Sequence, residues 1–390
     1  MQNQNWRFSR VIAVATVTLL VVSFTTLAVA QRIAGQDRQA IFSAAPKVST
    51  SVKGVSAFAA STKGFNPLNA SNAELLSHGL PQRPDQANEP KQYKLWERAM
   101  LAMKTRATDV RARPYTSRQM MGGVQTHADI PDANGYVFFN SGNWSGIANF
   151  NTLHSWSTTA SFDEVLSYWP VPVANHPFGN LPCSEGPWFE VTWNGIDGFN
   201  NGDVAQGGSL DYWDDGGCGG PVIYEGWIEW FPSYSILAIF CGSNPCPVGP
   251  GDAFVVETIA SSGFNAQTVF IEDIEQQWFG TFSLSYVSGP PMVGSSAEQI
   301  VERPCCNGSN LYPLGNYIFE WFDDAVAYNT SGHQFFPGSS NLHTAVITML
   351  ADDNSTPIST PLFYGSSGNQ GKYSIWMEDE NCAYSGGCTP

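Results

Sequence analysis

Thr281-Phe-Ser-Leu-Ser-Tyr-Val287 alternates side chains with a period of two, which is expected to place Phe282, Leu284 and Tyr286 on the inward face of a strand. Just upstream, Ala253-Phe-Val-Val-Glu-Thr-Ile259 and Thr268-Val-Phe-Ile-Glu-Asp-Ile274 are apolar and β-branched, and Ala345–Leu350 has the same character. Clusters of Gly, Asn, Ser and Pro punctuate these runs. Everything beyond about Gly135 reads this way, and no repeat of about 33–45 residues points to a propeller or solenoid. The pattern predicts one large all-β sandwich or barrel of about 250 residues, long enough for a substantial core. Eleven of the 13 tryptophans fall inside it, and the Trp227/Trp230 pair suits a groove for an extended polymer.

Charge divides the chain. From Gln119 to the C-terminus only Arg303 and Lys372 are basic, against 28 acidic residues, whereas residues 31–118 hold 14 basic and 6 acidic ones. A basic segment leading an acidic domain reads as an electrostatic clamp, although net charge also serves solubility. Repulsion within the acidic part is expected to raise its carboxylate pKa values, so that some stability is present in acid and lost as pH rises.

The ends assign a route. Arg7 and Arg10 precede an apolar run, Val11–Val22, and Ala28-Val29-Ala30 offers small residues for cleavage before Gln31. That is the layout of a secretory signal peptide, which implies a secreted protein with no membrane attachment after cleavage. All eight cysteines, Cys183 to Cys388, lie in the acidic part and read as disulfides; Cys241/Cys246 and Cys382/Cys388 are spaced to close small loops. The resulting division is signal peptide 1–30, basic propeptide 31–118 and acidic domain 119–390. Residues 31 to about 90 read as extended or loosely folded. Residues 91–106 are expected to form a short amphipathic helix, with Leu95, Trp96, Ala99, Met100 and Met103 on its apolar face. Arg111-Ala-Arg113 and Arg118 then mark an exposed linker open to processing.

The familiar nucleophiles fit poorly. There is no GxSxG, since Gly365-Ser-Ser-Gly368 lacks the final glycine, and no Asp-Thr-Gly or Asp-Ser-Gly. No CxxC or HExxH spacing suggests zinc, so neither metal nor cofactor is expected. Carboxylate chemistry remains, with Glu229 in Gly226-Trp-Ile-Glu-Trp230, Asp197 in Asn194-Gly-Ile-Asp-Gly198, and Glu298 and Glu302 on one strand face.

Six ordered segments carry a resemblance: Asn143-Trp-Ser-Gly146; Phe162-Asp-Glu-Val165 with Trp169-Pro-Val-Pro172; Trp193-Asn-Gly-Ile-Asp-Gly198; Gln206-Gly-Gly208; Trp227-Ile-Glu-Trp-Phe-Pro232; and Ala297-Glu-Gln-Ile-Val-Glu302. Together they resemble the glutamic peptidases (the G1 or eqolisin family). The resemblance implies a concanavalin A-like β-sandwich of two antiparallel sheets behind a signal peptide and a propeptide. It places the catalytic glutamine on Gln206 and the catalytic glutamate on Glu302, with Trp193, Asp197, Trp227 and Glu229 lining or buttressing the cleft. In that reading Glu302 takes a proton from water and returns it to the leaving amine, while the Gln206 amide steadies the oxyanion. The chain departs from the family at Gly207, at an insertion containing Asp211, Asp214, Asp215 and Cys218, and at Arg303, a cation expected to depress the pKa of Glu302.

The expectation is therefore a secreted, monomeric acid endopeptidase made as an inactive preproenzyme. Its partners are polypeptide substrates and its own propeptide as an intramolecular inhibitor, with no nucleic acid. Two other classes share these features. A glycosidase would use two carboxylates such as Glu229 and Glu302. A lectin would hold calcium through Asp197, Asn200, Asn201 and Asp203. Asn69, Asn143, Asn307, Asn329 and Asn354 stand in glycosylation sequons.

Overall fold

The computed structural model describes residues 32–61, 63–103, 110–115, 125–128, 136–150, 162–174, 187–199, 201–213, 220–261, 263–307, 310–338, 343–364 and 375–379. The signal-peptide segment, Arg118 and the Cys382/Cys388 pair lie outside them. Two sheets pack face to face as a β-sandwich, with three helices from the N-terminal part on the outside. The back sheet has eight described strands and the front sheet fourteen. Among the described strands pairing is antiparallel except where Tyr136–Ser141 runs parallel to His343–Leu350 in the front sheet, and Phe189 and Leu314 form an isolated parallel bridge.

Alternation builds the sandwich. In the back sheet, Val165 and Trp169, Phe254 and Val256, Val269 and Ile271, and Phe282 and Leu284 face the front sheet and join one core. From the front sheet Ala205, Ile228, Trp230, Ala297 and Val301 meet them. Polar bonds also tie the layers: Asn194 Nδ2 donates to Val256 O at 2.7 Å, and Trp169 Nε1 to Ser209 Oγ at 2.9 Å. The strand Trp278–Ser285 stops before Tyr286, which is exposed, so the inward alternation ends at Leu284. Trp227 and Trp230 sit three apart on one strand and therefore point to opposite faces. Both are buried, Trp230 between the sheets and Trp227 on the far side of the front sheet, so they form no common groove.

The leading segment is more ordered than its composition suggests. It forms helices at Gly35–Ala44, Asn72–Ser77 and Pro90–Ala102, and a hairpin, Lys47–Ser49 with Val55–Phe58, that extends the back sheet. The second helix opens with a capping box between Ser71 and Glu74. Phe42, Leu75, Leu76, Leu80, Trp96 and Met100 are all buried against Leu166, Tyr168, Val255, Ile259, Phe270, Val326 and Tyr328 or within the layer itself. Tertiary burial overrides weak local periodicity here. Six such side chains at about 1.5–3 kcal/mol each amount to on the order of 10 kcal/mol, an upper value since unfolded chains already bury some surface.

The chain at Val110–Pro114 is a strand, not an exposed linker. It pairs antiparallel with Leu237–Cys241, and Ala112 enters the core between the sheets. Arg113 stacks on Phe240 at 4.5 Å and donates to Gly242 O at 3.0 Å. Cys241 and Cys246 form a disulfide, as their spacing predicts. Asn143 is fully buried, which removes it as a glycosylation acceptor.

Acidic side chains are buried in number. Asp203, Asp273 and Asp324 are each pushed up to about 8, and Asp211, Glu298 and Glu320 well above the usual carboxylate range. Burial leads in every case, ahead of the mutual repulsion expected from sequence. A carboxyl raised in the folded state contributes stability that is full below its unfolded value, near 4, and lost as pH rises through the folded value. Each contributes a slope of up to about 1.4 kcal/mol per pH unit between those limits. The midpoint of thermal unfolding should therefore fall continuously from about pH 4 to about pH 8. A midpoint that is flat or rises over this span would contradict the buried, protonated state of these groups.

Candidate active site

The front sheet carries five adjacent strands, Trp144–Phe150, Ser296–Glu302, Trp188–Ile196, Val204–Trp213 and Val222–Phe231, in that spatial order. Their register aligns three rungs on the face turned away from the back sheet. One rung reads Trp144, Glu302, Val191, Leu210, Glu225. The next reads Gly146, Ile300, Trp193, Gly208, Trp227. The third reads Ala148, Glu298, Gly195, Gln206, Glu229.

The third rung gathers the polar groups. Gly195 separates Gln206 from Glu298 and has no side chain. A Cβ there would meet Ala205 O and the Trp193 ring at 2.9 Å and the Gln206 Cβ at 3.1 Å. Two strand spacings put the Gln206 and Glu298 backbones about 9–10 Å apart, a gap that two four-atom side chains bridge over the glycine. On the other side, Gln206 Nε2 donates to Glu229 Oε2 at 2.8 Å. That bond fixes the amide with its nitrogen toward Glu229, leaving the second N–H for another acceptor. Glu229 is held in turn, since its carbonyl accepts from Gln267 Nε2 at 2.9 Å.

Glu298 is fully buried, and both of its carboxyl oxygens lack a hydrogen bond of good geometry. Burial pushes its carboxyl well up; the Ser296 hydroxyl and the Phe199 backbone oppose the shift, and Asp197 and Asp203 add to it.

Glu302 sits elsewhere. It lies four residues along the strand from Glu298, so its backbone is about 16 Å from that of Gln206. Its carboxylate accepts from Trp193 Nε1 at 2.9 Å and from Asn143 Nδ2 at 3.3 Å. The structure therefore does not bring Gln206 and Glu302 onto one rung. Sequence reading saw Glu298 and Glu302 on the same face, but only the register across Gly195 distinguishes them. Arg303 does not pair with Glu302: its Nε donates to Gly142 O at 2.7 Å and its Nη2 meets Asp352 Oδ1 at 2.5 Å.

The remaining expected residues divide by role. Trp193 and Trp227 flank Gly208 on the middle rung and belong to one buried apolar cluster, where Trp193 packs edge-on against Trp144 at 5.0 Å. Asp197 does not line the rung. Its left-handed backbone (φ 68°) aims the carboxylate at the turn before Ser296, where it accepts from the Val293, Gly294 and Ser295 amides and the Ser295 hydroxyl, each at 2.7 Å. Asn201 Oδ1 likewise accepts from Gly198 N at 2.7 Å, so both side chains are engaged in shaping loops rather than grouped as calcium ligands. Glu229 and Glu302 lie about 19 Å apart by register, beyond the span of a glycosidase carboxylate pair.

Gln206, Glu229, Glu298 and Glu302 are all closed to solvent. The arrangement offers an amide donor, a protonated carboxyl and an anchoring carboxylate along one rung.

Among solved structures, scytalido-glutamic peptidase with a peptide-based transition state analog is 18% identical, covering 61% of this chain and 98% of that one, with a TM-score of 0.46. SCP-B, an eqolisin in complex with the tripeptide Ala-Ile-His, is 17% identical over 61% of this chain and 98% of that one, with a TM-score of 0.44. The aspergilloglutamic peptidase from Aspergillus niger is 20% identical over 49% of this chain and 99% of that one, with a TM-score of 0.39. No curated protein matches the chain. The Peptidase A4 family matches residues 142–369, a span that contains every strand of the three rungs. With that match over more than half its length, the chain belongs to the Peptidase A4 family, the glutamic peptidases, which hydrolyse peptide bonds.

Proposed function

We propose that the protein is a secreted acid endopeptidase, made as an inactive preproenzyme, that uses Gln206 and Glu298 as its catalytic pair. The observation that carries the assignment is the shared rung: Gln206 and Glu298 face each other across Gly195, the one position between them without a side chain. The peptide carbonyl would lie over Gly195. The second N–H of Gln206 would donate to the oxygen as it gains charge, a neutral donor whose function does not depend on pH. Glu298 would take the proton of the attacking water and deliver it to the leaving amine nitrogen.

The closed site supports the inactive state. While burial favours the protonated form of Glu298, it lacks the carboxylate that would take a proton from water. Opening the site rehydrates the carboxyl and moves its pKa back toward the reference value near 4.3, which places activity in acid. Residues 1–30 would direct export. Extended polypeptides are the proposed substrates. Trp193 and Trp227 form the apolar floor beneath them, and Glu302 serves to hold Trp193 in place.

The decisive assay is cleavage of a denatured protein by acid-treated enzyme. Glu298→Gln should lower kcat by about 10²–10⁴, the range for loss of a general acid–base group. Gln206→Ala should lower it by about 10²–10³, the cost of one oxyanion donor. Glu302→Gln should retain far more activity than Glu298→Gln. The reverse ranking would return the general base to Glu302 and sink the rung argument.

Glu229 yields a separate expectation as the positioning residue of the Gln206 amide. Glu229→Ala should reduce kcat by up to about 10²-fold with little change in KM, because the amide loses its orientation. Glu229→Gln, which keeps an acceptor oxygen, should restore much of the rate. Equal loss in both variants, following a shared fall in thermal stability, would assign Glu229 to folding alone.

A further inference from the structure

The three helices of the basic leading segment lie on the wrong side of the molecule for an inhibitor, and only Tyr115, at the end of its described part, packs against the apolar cluster of the site face. Its helices at 35–44, 72–77 and 90–102 pack on the outer face of the back sheet, and the candidate site lies on the outer face of the front sheet. Two stacked sheets, about 10 Å apart, separate them. None of the described residues 32–103 belongs to the apolar cluster on the site face.

Its attachment is deep. Arg38 is 2% exposed, reaches Asp163 Oδ2 at 2.6 Å and Asp163 O at 3.2 Å, and pairs with Glu164. Arg32 pairs with Glu164 and lies 3.5 Å from Glu257 Oε1, with its guanidinium 3.7 Å above the Tyr328 ring. Arg98 pairs with Glu275, Lys91 donates to Asp323 O, and Thr281 Oγ1 donates to Gly79 O at 2.6 Å. The hairpin strand Val55–Phe58 is bonded to Trp278–Ser285 as a strand of the back sheet.

We propose that residues 32–102 are a permanent third layer of the enzyme, retained as a companion chain after processing, and are not the inhibitor of its site. The retention builds on the proenzyme reading; the layer's position does not. Acid does not eject such a layer. Its apolar contacts carry no charge, and a protonated carboxyl still offers its carbonyl oxygen to Arg38 and Arg32. Burial already raises Asp163 and Glu257 above their usual range, so acid relieves the cost of burying them. The groups facing them are Arg32 and Arg38, which also pair with the buried Glu164, with Tyr168 and Tyr328 beside them; both arginines remain charged in acid.

The test uses the full chain. Wild-type protein is acid-treated, separated by gel filtration in acid and at neutral pH, and weighed under native conditions. We expect the fragment containing Trp96 to co-elute one-to-one with the active C-terminal chain. Active fractions free of that fragment would overturn the proposal. In parallel, Glu298→Gln protein is nicked by added trypsin, which reports association without the protein's own catalysis. The pieces should stay together in acid and at neutral pH, and their separation in acid would equally refute retention. Absence of peptidase activity in the wild type would bring down the proposed function and leave the trypsin result to decide the layer.

Discussion

Everything at the candidate site depends on the register of five antiparallel strands. Because side chains alternate, a slip of one residue in any of them would send its polar groups into the interface between the sheets. Glycines enforce the alignment from within. Gly208 lies so close to its neighbour that an added Cβ would stand 2.1 Å from Thr192 O, and Gly146 has Gln299 O at 2.2 Å from the same position. Asp197 anchors the end of the ladder by closing the turn that feeds Ser296–Glu302. Trp193 bonded to Glu302, and Asp197 bonded to that turn, brace the strand of Glu298 near both its ends.

The electrostatic character follows from burial. A domain with almost no cations cannot pair its acids, so the interior carboxyls are stable mainly as neutral groups. The register pair Glu190 and Asp211, with Glu320 beside them, illustrates this: all three are buried, and Asp211 and Glu320 are held well above the usual range. Glu190 accepts the Thr192 hydroxyl. Such a cluster is tolerable while it carries protons and costly once ionised. The same preference keeps Glu298 neutral when covered, which links the conditions that stabilise the fold to those that govern the proposed reaction.

Much of this was legible in the chain. The period of two in Thr281–Leu284, the apolar 253–259 and 268–274 runs and the ordered motifs were enough for an all-β sandwich and its family. Gln206, Glu229 and Trp193 stood in those motifs. What remained hidden depends on contacts between distant segments. That Glu298, not Glu302, shares a rung with Gln206 depends on which residue of Trp188–Ile196 lies opposite each one. The order in residues 35–80 comes from Phe42, Leu75 and Leu76 finding an apolar sheet face, and local spacing does not record that face. Arg111-Ala-Arg113 resembles a linker in sequence, yet the free edge of Leu237–Cys241 turns it into a strand.

The charge division of the chain also means less at the interface than its totals suggest. Several cations of the leading segment serve the segment itself. Arg83 donates to the Leu68 and Ala70 carbonyls, each at 2.8 Å, and Lys47 to Phe42 O at 2.6 Å. Arg98 and Glu275 meet at the surface, where an ion pair contributes about 0–1 kcal/mol. Among the described residues, Arg38, buried, and Arg32, largely buried, form ion pairs with buried acids of the sandwich. Losing both arginines costs about 6–10 kcal/mol at about 3–5 each, against about 9–18 kcal/mol for the apolar burial of six large side chains. The clamp is therefore mainly hydrophobic, with two arginines fixing its register on the sheet. A change of pH alters only the smaller part of what holds it.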